Sequence, residues 1–528
     1  MRRAFRRVPV AAPAQQKHRT HTFPAPVRGK ISNENLAASQ PQGARVLENW
    51  FPTSTGIRLR GGTRRKATIG SGPVVSMITY DSSSGRFMFA ADATNIFDVT
   101  SPADPLVPPA AAVSGQTSGY YSYIQFATAG GDFLSAVNGT DSMRQFNGSV
   151  WSTVAALGPI ATNKLAQIWA YRNRQFFVQK DSLVVWFLPV NQISGTAQDL
   201  SLAGVFQKGG AIKFGATWSL DAGDGVDDKC VIVSDQGEVA VYEGANPADP
   251  NDWRLVGRYD ISRPMGRRAF TQAGGDLLIA MEDGIVPISE AISKDRIALS
   301  MSSVSRNIEL DWRREVARRA AVLPWEIAKW PLMNMGIVSL PADVGQDRLC
   351  FVVNLETGAW ADYTGWDARC LAIHDDWAYF GTSDGKIMQC EVGGNDDGSP
   401  YVCTYVGLFD HLRVPAANKI IHMGRSVFLA ARAFIAKLSM STDYQVSLPA
   451  APASIPDDTL FDEWDSGLWD VMKWDAGSDK RISTRWGSIG RSGFVAAPQV
   501  QVTCGVTPTP DAELVAIDIT YEVGAVVV

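Results

Sequence analysis

The pentapeptide Gly381-Thr382-Ser383-Asp384-Gly385 satisfies the G-x-S-x-G pattern, in which a serine on a strained turn becomes a nucleophile. That chemistry needs a strand before the turn and a helix after it. Here Lys386-Ile-Met-Gln-Cys390 follows, which reads as a strand, so the pentapeptide is predicted to be a hairpin tip. The five histidines, His18, His21, His374, His411 and His422, form no HExxH or other helical metal pair. Two of them lie in a basic N-terminal segment. His374 precedes Asp375-Asp376 between strands and reads as a satisfied surface or edge residue. Two acid clusters, one of Asp221, Asp224, Asp227 and Asp228, the other Asn395-Asp396-Asp397-Gly398, lack the spacing that wraps oxygens around calcium, and read as solvated loops. Ser383-Asp384-Gly385 and Ser234-Asp235-Gln236-Gly237 match only part of the S-x-D-x-G-x-x-W Asp box. A carboxylate pair for glycoside hydrolysis assembles in space and not in sequence, so a glycan-active enzyme stays an open alternative. The six cysteines, Cys230, Cys350, Cys370, Cys390, Cys403 and Cys504, contain no CxxC pair and read as reduced core residues of a cytosol-made protein. No catalytic, cofactor-binding or metal-ligating set emerges, and the chain reads as non-enzymatic.

Two features point to contacts instead of catalysis. Trp464-Asp465, Trp469-Asp470 and Trp474-Asp475 recur every five residues in a Pro- and Asp-rich loop, 455–486. The tryptophans could pack on their own domain, meet a partner, or stack on sugar rings. Residues 1–70 hold 14 Lys/Arg against two acids, Glu34 and Glu48, giving +12; the whole chain is −5, so the remainder carries −17. A basic arm docks on an acidic protein neighbour, here including another copy of the chain, or on DNA phosphates without reading sequence. Met1-Arg2-Arg3-Ala4-Phe5-Arg6-Arg7 leads into no apolar stretch before Gln15, so no secretory signal is expected. No apolar run reaches the ~18 residues of a membrane-spanning helix.

The elements that carry these residues are β-rich. At 528 residues the chain exceeds one core, and two or three domains are expected. Between about 70 and 395, strand-turn-strand units recur with Asp-Gly, Asn-Gly or Gln-Gly tips, where glycine takes positive φ cheaply. They are 86–99, 132–151, 175–188, 230–242, 276–288 and a sixth with two hairpins, 349–360 and 377–388. Radial repetition of such units predicts a mainly β fold: a β-propeller of about six blades. A helix over 307–322 is expected inside it, with Ile308, Trp312, Val316 and Ala320 on one face and Arg313, Arg314, Arg318 and Arg319 in solvent. Ser305 or Asn307 should cap it and Pro324 stop it. The expected domains are a basic extended arm (1–45), the propeller (46–398) and a smaller C-terminal β-sandwich-like domain (399–528).

One segment stands apart. Asn49-Trp50-Phe51-Pro52 pins an aromatic pair, and Gly56-Ile57-Arg58-Leu59-Arg60-Gly61-Gly62-Thr63 follows with arginines at alternate positions. It reads as an anchor, with Trp50 and Phe51 packed where the arm joins the β body. With Val46-Leu47-Glu48 before it, the segment resembles the N-terminal motif of tail nozzle proteins (tail tubular protein B) of short-tailed bacteriophages. Ser305-Arg306-Asn307-Ile308-Glu309 with Trp312-Arg313-Arg314 is similar to that family's inserted helix, and Asn354-Leu-Glu-Thr-Gly358-Ala-Trp360 to its late-blade hairpin. Gly490-Arg-Ser-Gly493-Phe-Val-Ala-Ala-Pro498 and Val515-Ala-Ile-Asp-Ile-Thr-Tyr521-Glu-Val-Gly524 resemble its final strands. The resemblance covers roughly residues 30–528 and brings no catalytic residues. It implies a virion tail protein assembled in the host cytoplasm: a homohexameric ring that continues the portal and adaptor channel, retains and then conducts genomic DNA, and supports tail fibres or tailspikes. The alternatives are a glycan-binding or glycan-degrading tailspike and a host-cell propeller scaffold.

Overall fold

The computed structural model describes residues 18–526 except 34–41, 220–227, 295–298, 300–301, 323, 343–345, 433, 455–480 and 506–508. The Trp-Asp repeat and Asp221, Asp224 and Asp227 therefore lie outside the described residues. The fold is mainly β. Among the described residues, seven antiparallel meanders of three or four strands follow one another, the sixth within a larger eight-stranded sheet. The first runs from Ser76–Ser82 to Ala111–Val113, the second from Ser122–Thr128 to Trp151–Val154, the third from Leu165–Tyr171 to Gln198–Ser201, and the fourth from Ile212–Trp218 to Arg254–Asp260. The fifth has three strands, Phe270–Ala273, Asp276–Met281 and Gly284–Pro287; the sixth runs from Glu326–Trp330 to Trp360–Thr364. The seventh takes Cys370–His374, Trp377–Gly381 and Lys386–Gln389, and its fourth strand is β5 (Arg64–Thr68), from the other end of the chain.

Apolar cores lie between successive sheets. Ile78 and Phe89 of the first meet Leu134 and Phe146 of the second. The same holds around the series, and Met77 and Met88 of the first sheet share a core with Tyr379 and Ile387 of the seventh. The first and last sheets of the series therefore lie against one another, as successive sheets do. The hairpins 349–360 and 377–388, expected in one unit, fall in separate sheets, because Trp360–Thr364 ends one meander and Cys370–His374 starts another. Pairing between hairpins decides this, and hairpin signals do not carry it.

The helix Glu309–Arg319 occupies the connection after the three-stranded fifth sheet. Ile308, Trp312 and Val316 are buried, as their spacing predicts. Two expectations need correction. Neither Ser305 nor Asn307 caps the helix by a side-chain bond; the Ser305 hydroxyl accepts the Ile285 amide instead. Arg319 is not solvated but fully buried. It pairs with Glu315 at 2.8 Å and donates to the Leu340 and Asp347 carbonyls.

The strands before residue 60 pair mostly with C-terminal strands. β1 (Arg19–Pro24) pairs with Ala512–Val526. β2 (Ala44–Glu48) pairs antiparallel with Tyr401–Gly407 and parallel with the last strand of the sixth sheet, fusing that sheet to C-terminal strands. β3 (Trp50–Pro52) and β4 (Ile57–Leu59) form a hairpin whose second strand pairs with Ala512–Val526. The arm is likewise tied in. Lys30 is buried between Asp311 of the helix (2.8 Å) and Asp362 of the sixth sheet. Burial disfavours its charge, but the two carboxylates outweigh this and hold Lys30 above the ordinary lysine range.

At the centre of this joint is Arg60, whose side chain is wholly buried. Its guanidinium grips both oxygens of Asp396 (2.9 and 2.6 Å), and its Nε donates to Asn49 Oδ1 at 2.8 Å. Its face lies 3.7 Å from the centroid of the Tyr401 ring. Arg58 pairs with Glu391 at 2.8 Å, and the same carboxylate accepts the Gly61 amide and the Tyr363 hydroxyl. In the loop Asn395-Asp396-Asp397-Gly398, Asp397 and Gly398 are exposed as expected, while Asp396 is drawn into the joint by Arg60 and Asp397 pairs with Arg65 at the surface. Trp50 and Phe51 are buried as the anchor reading requires, Trp50 stacking on Phe428. A Cβ on Gly62 would stand 2.0 Å from the Asn395 carbonyl oxygen, so only glycine fits where the two chain segments cross. We expect Arg60→Ala to lower the unfolding free energy by about 3–5 kcal/mol, since it strands Asp396 without its partner. Urea titration of the full chain checks this; a loss below about 1 kcal/mol, the scale of an exposed pair, would remove Arg60 from the centre of the joint.

Candidate functional site

A second polar constellation lies at the turn just before the fifth sheet. Arg267 and Arg268 occupy it. Arg268 donates to Ser76 Oγ (2.8 Å) in the first sheet, to the Val75 carbonyl (2.8 Å) just before it, and to the Tyr121 carbonyl (3.1 Å) leading into the second. Its Nε lies 2.7 Å from Glu326 Oε1 at the start of the sixth sheet, and Glu326 Oε2 accepts the Leu371 amide of the seventh at 2.6 Å. Arg268 and Glu326 together thus link residues of five of the seven sheets. Burial pushes the Glu326 carboxyl above its ordinary range, while Arg268 and the Leu371 amide pull it back down.

Arg267 turns the other way. It lies over the Tyr120 ring at 3.9 Å and donates to the Tyr120 carbonyl. Among the described residues it makes no ion pair. Burial, and the neighbouring Arg268 charge, bring it down to about 10. It lines a cavity of about 340 Å³ together with Ser118, Asn138, Lys180, Lys213 and Asp235. These residues come from in and around the second to fifth sheets. Lys213 is also lowered, first by burial. The arrangement can hold a small anionic group against Arg267 and Lys213.

The residues singled out from the sequence are scattered. Ser383 sits at a hairpin tip between Trp377–Gly381 and Lys386–Gln389, with its hydroxyl bound to Asp367. His374 is buried, not at the surface; burial keeps its imidazole below the usual histidine range. Asp228 is buried beside Tyr171, whose hydroxyl donates to its carbonyl. All six cysteines are free and buried. Arg267 and Arg268 went unnoticed in the sequence. Their signal is an adjacent Arg267-Arg268 pair just before the strand Phe270–Ala273, facing a lone Glu326 at the head of another strand.

No family model matches the chain, and no curated protein matches it. Similar solved structures include YCF48 from Cyanidioschyzon merolae, at 10% identity and TM-score 0.37, over 62% of this chain and 98% of that one. The β-propeller domain of Cps50 (Swd1) from Myceliophteria thermophila is similar at 13% identity and TM-score 0.37, over 62% and 99%. Raptor from Chaetomium thermophilum is similar at 11% identity and TM-score 0.40, over 67% of this chain and 30% of its own. Among the described residues no helix is long and apolar enough to cross a membrane.

The Arg268–Glu326 pair has a checkable energetic signature. Arg268→Met leaves Glu326 buried without its cation and should cost about 3–5 kcal/mol at pH 8. A carboxyl whose folded pKa is raised contributes stability that is full below its unfolded pKa and is lost as pH rises through the folded one. The deficit of Arg268→Met should therefore shrink from pH 8 to pH 5, and Glu326→Gln in the same chain should restore most of it. Denaturant midpoints at the two pH values decide; a pH-independent deficit would assign the loss to the carbonyl contacts alone.

Proposed function

We propose that this chain is a structural component of a short phage tail, the nozzle: a ring of six copies that extends the portal and adaptor channel, retains and then conducts genomic DNA, and supports fibres or spikes. In this reading the seven sheets are a seven-bladed propeller, the helix Glu309–Arg319 is its insertion, and the C-terminal strands with β1–β4 form a sandwich fused to it.

The observation that carries the reading is the convergence of the motifs that resemble the nozzle family. They are spread over nearly 500 residues of sequence, yet each touches the segment 30–63 or its core. Asn354 donates to the Pro52 carbonyl at 2.9 Å. Asn307 accepts the Ser32 amide at 2.8 Å, and Asp311 holds Lys30. Ala496, Ile517, Ile519 and Tyr521 share one core with Trp50, Phe51, Ile57 and Leu59. Motifs that must fit one another at a joint are what a shared architecture would keep together. The charge balance supports the same reading: outside residues 1–70 the chain carries −17, and an acidic wall lets DNA pass without gripping it.

The purified full chain should form six-fold rings in negative-stain images, with a hexameric mass in solution. A trimer that binds or cleaves surface polysaccharide would favour the tailspike reading, and a stable monomer at micromolar concentration would count against both. A high-resolution ring with a basic lumen would overturn the DNA-conducting role.

A further inference from the structure

Three antiparallel strands lie side by side on the large C-terminal sheet: β1, then Ala512–Val526, then Ala417–Ala430. Two rows of polar side chains cross them. In one row Thr22 donates to Asp518 at 2.5 Å, and Arg425 Nε donates to the same carboxylate at 2.7 Å, so the acid is matched on both sides. In the other row Glu522 stands between two imidazoles. Its Oε1 is 3.3 Å from His18 Nδ1, and its Oε2 is 3.5 Å from His422 Nε2. The two rings meet edge to face with centroids 5.4 Å apart. One donor atom from each of the three residues lies within 4.8 Å of the other two. His422 occupies the register shift between Ile421 and Met423, the kind of bulge that re-aims a side chain. Its Nε2 is shielded from solvent yet makes no hydrogen bond, an unmet polar atom facing the carboxylate.

We propose that His18, His422 and Glu522 form a binding site for a zinc-type divalent transition ion that pins β1 to the sheet. Two imidazoles and one carboxylate are a donor set zinc takes, with solvent in the remaining position. Donors bound at about 2.0–2.2 Å around a tetrahedral ion lie about 3.3–3.6 Å from each other; each histidine nitrogen has one Glu522 oxygen at 3.3 or 3.5 Å, and one donor atom of each residue lies within 4.8 Å of the others. Calcium and magnesium call for oxygen donors throughout, so the nitrogen pair selects against them. The ion would join segments about 500 residues apart in sequence, and its binding energy would add to folding energy because the unfolded chain has no such site. The inference concerns the attachment of β1 alone and is independent of the tail-nozzle reading.

The full-length chain, freed of metal with EDTA and desalted, is titrated with ZnCl2 at pH 7.5 by calorimetry and followed by thermal melting. One ion per chain is expected, with a melting temperature raised by Zn2+ and not by Mg2+. His422→Ala and Glu522→Gln should each weaken binding by about tenfold or more and abolish the shift. Both side chains are partly exposed, so these variants should fold; His18→Ala, at the most exposed ligand, serves if either does not. A wild-type chain that takes no zinc at about 100 μM, or variants that bind the same ion as tightly, would overturn the site.

Discussion

The structure depends on the charge of Arg60 being balanced out of water. A buried guanidinium is tolerated only if its donors find acceptors at once, and Arg60 draws them from segments far apart in sequence. Asn49 comes from the turn before β3. Asp396 follows the seventh sheet, and the Thr364 carbonyl ends the sixth. Tyr401, whose ring covers the guanidinium, opens the first C-terminal strand. These partners come together only where the sixth and seventh sheets meet the C-terminal strands. The joint is thus a check on assembly: a chain with one piece misplaced buries an uncompensated charge, which costs more than any surface contact could return.

The same physics recurs at Arg268 with a different result. Arg268 is matched by Glu326 and by carbonyls from the first strands, so it locks these sheets together as Arg60 locks the joint. Arg267, adjacent in sequence, faces the cavity with carbonyls and the Tyr120 ring as partners. Two neighbouring arginines therefore divide between holding the sheets together and presenting positive charge.

What was legible in the sequence was local. Ser383-Asp384-Gly385 and Gln236-Gly237 announce tight turns because Gly385 and Gly237 must take positive φ, and both do. Trp312 and Val316 follow the helical period and are buried with it. What stayed hidden was pairing between distant strands. Nothing in Arg64-Arg65-Lys66-Ala67-Thr68 says that it completes the sheet of Lys386–Gln389, more than 300 residues later, or that the motif from Asn49 to Leu59 joins the C-terminal strands. For the same reason Arg319 read as solvated: its burial is set by Glu315 on its own helix together with carbonyls at 340 and 347, and only the first of these lies at helical spacing.

These distant pairings have a consequence for how the fold behaves as a unit. β5 completes the seventh sheet, and four residues upstream of it Arg60 closes the joint with the C-terminal strands. A short stretch near residue 60 therefore ends two long loops at once. Loop-closure entropy grows only slowly with length, so the two closures cost little more than shorter ones, but neither gains its contacts until the far partner has formed. Once both are made, the seven sheets and the C-terminal strands cannot shift against one another without opening a buried ion pair or moving Gly62 off the Asn395 carbonyl. Motion is then confined to loops and to edges, where β1 is held by a single neighbouring strand and by the side chains on its exposed face.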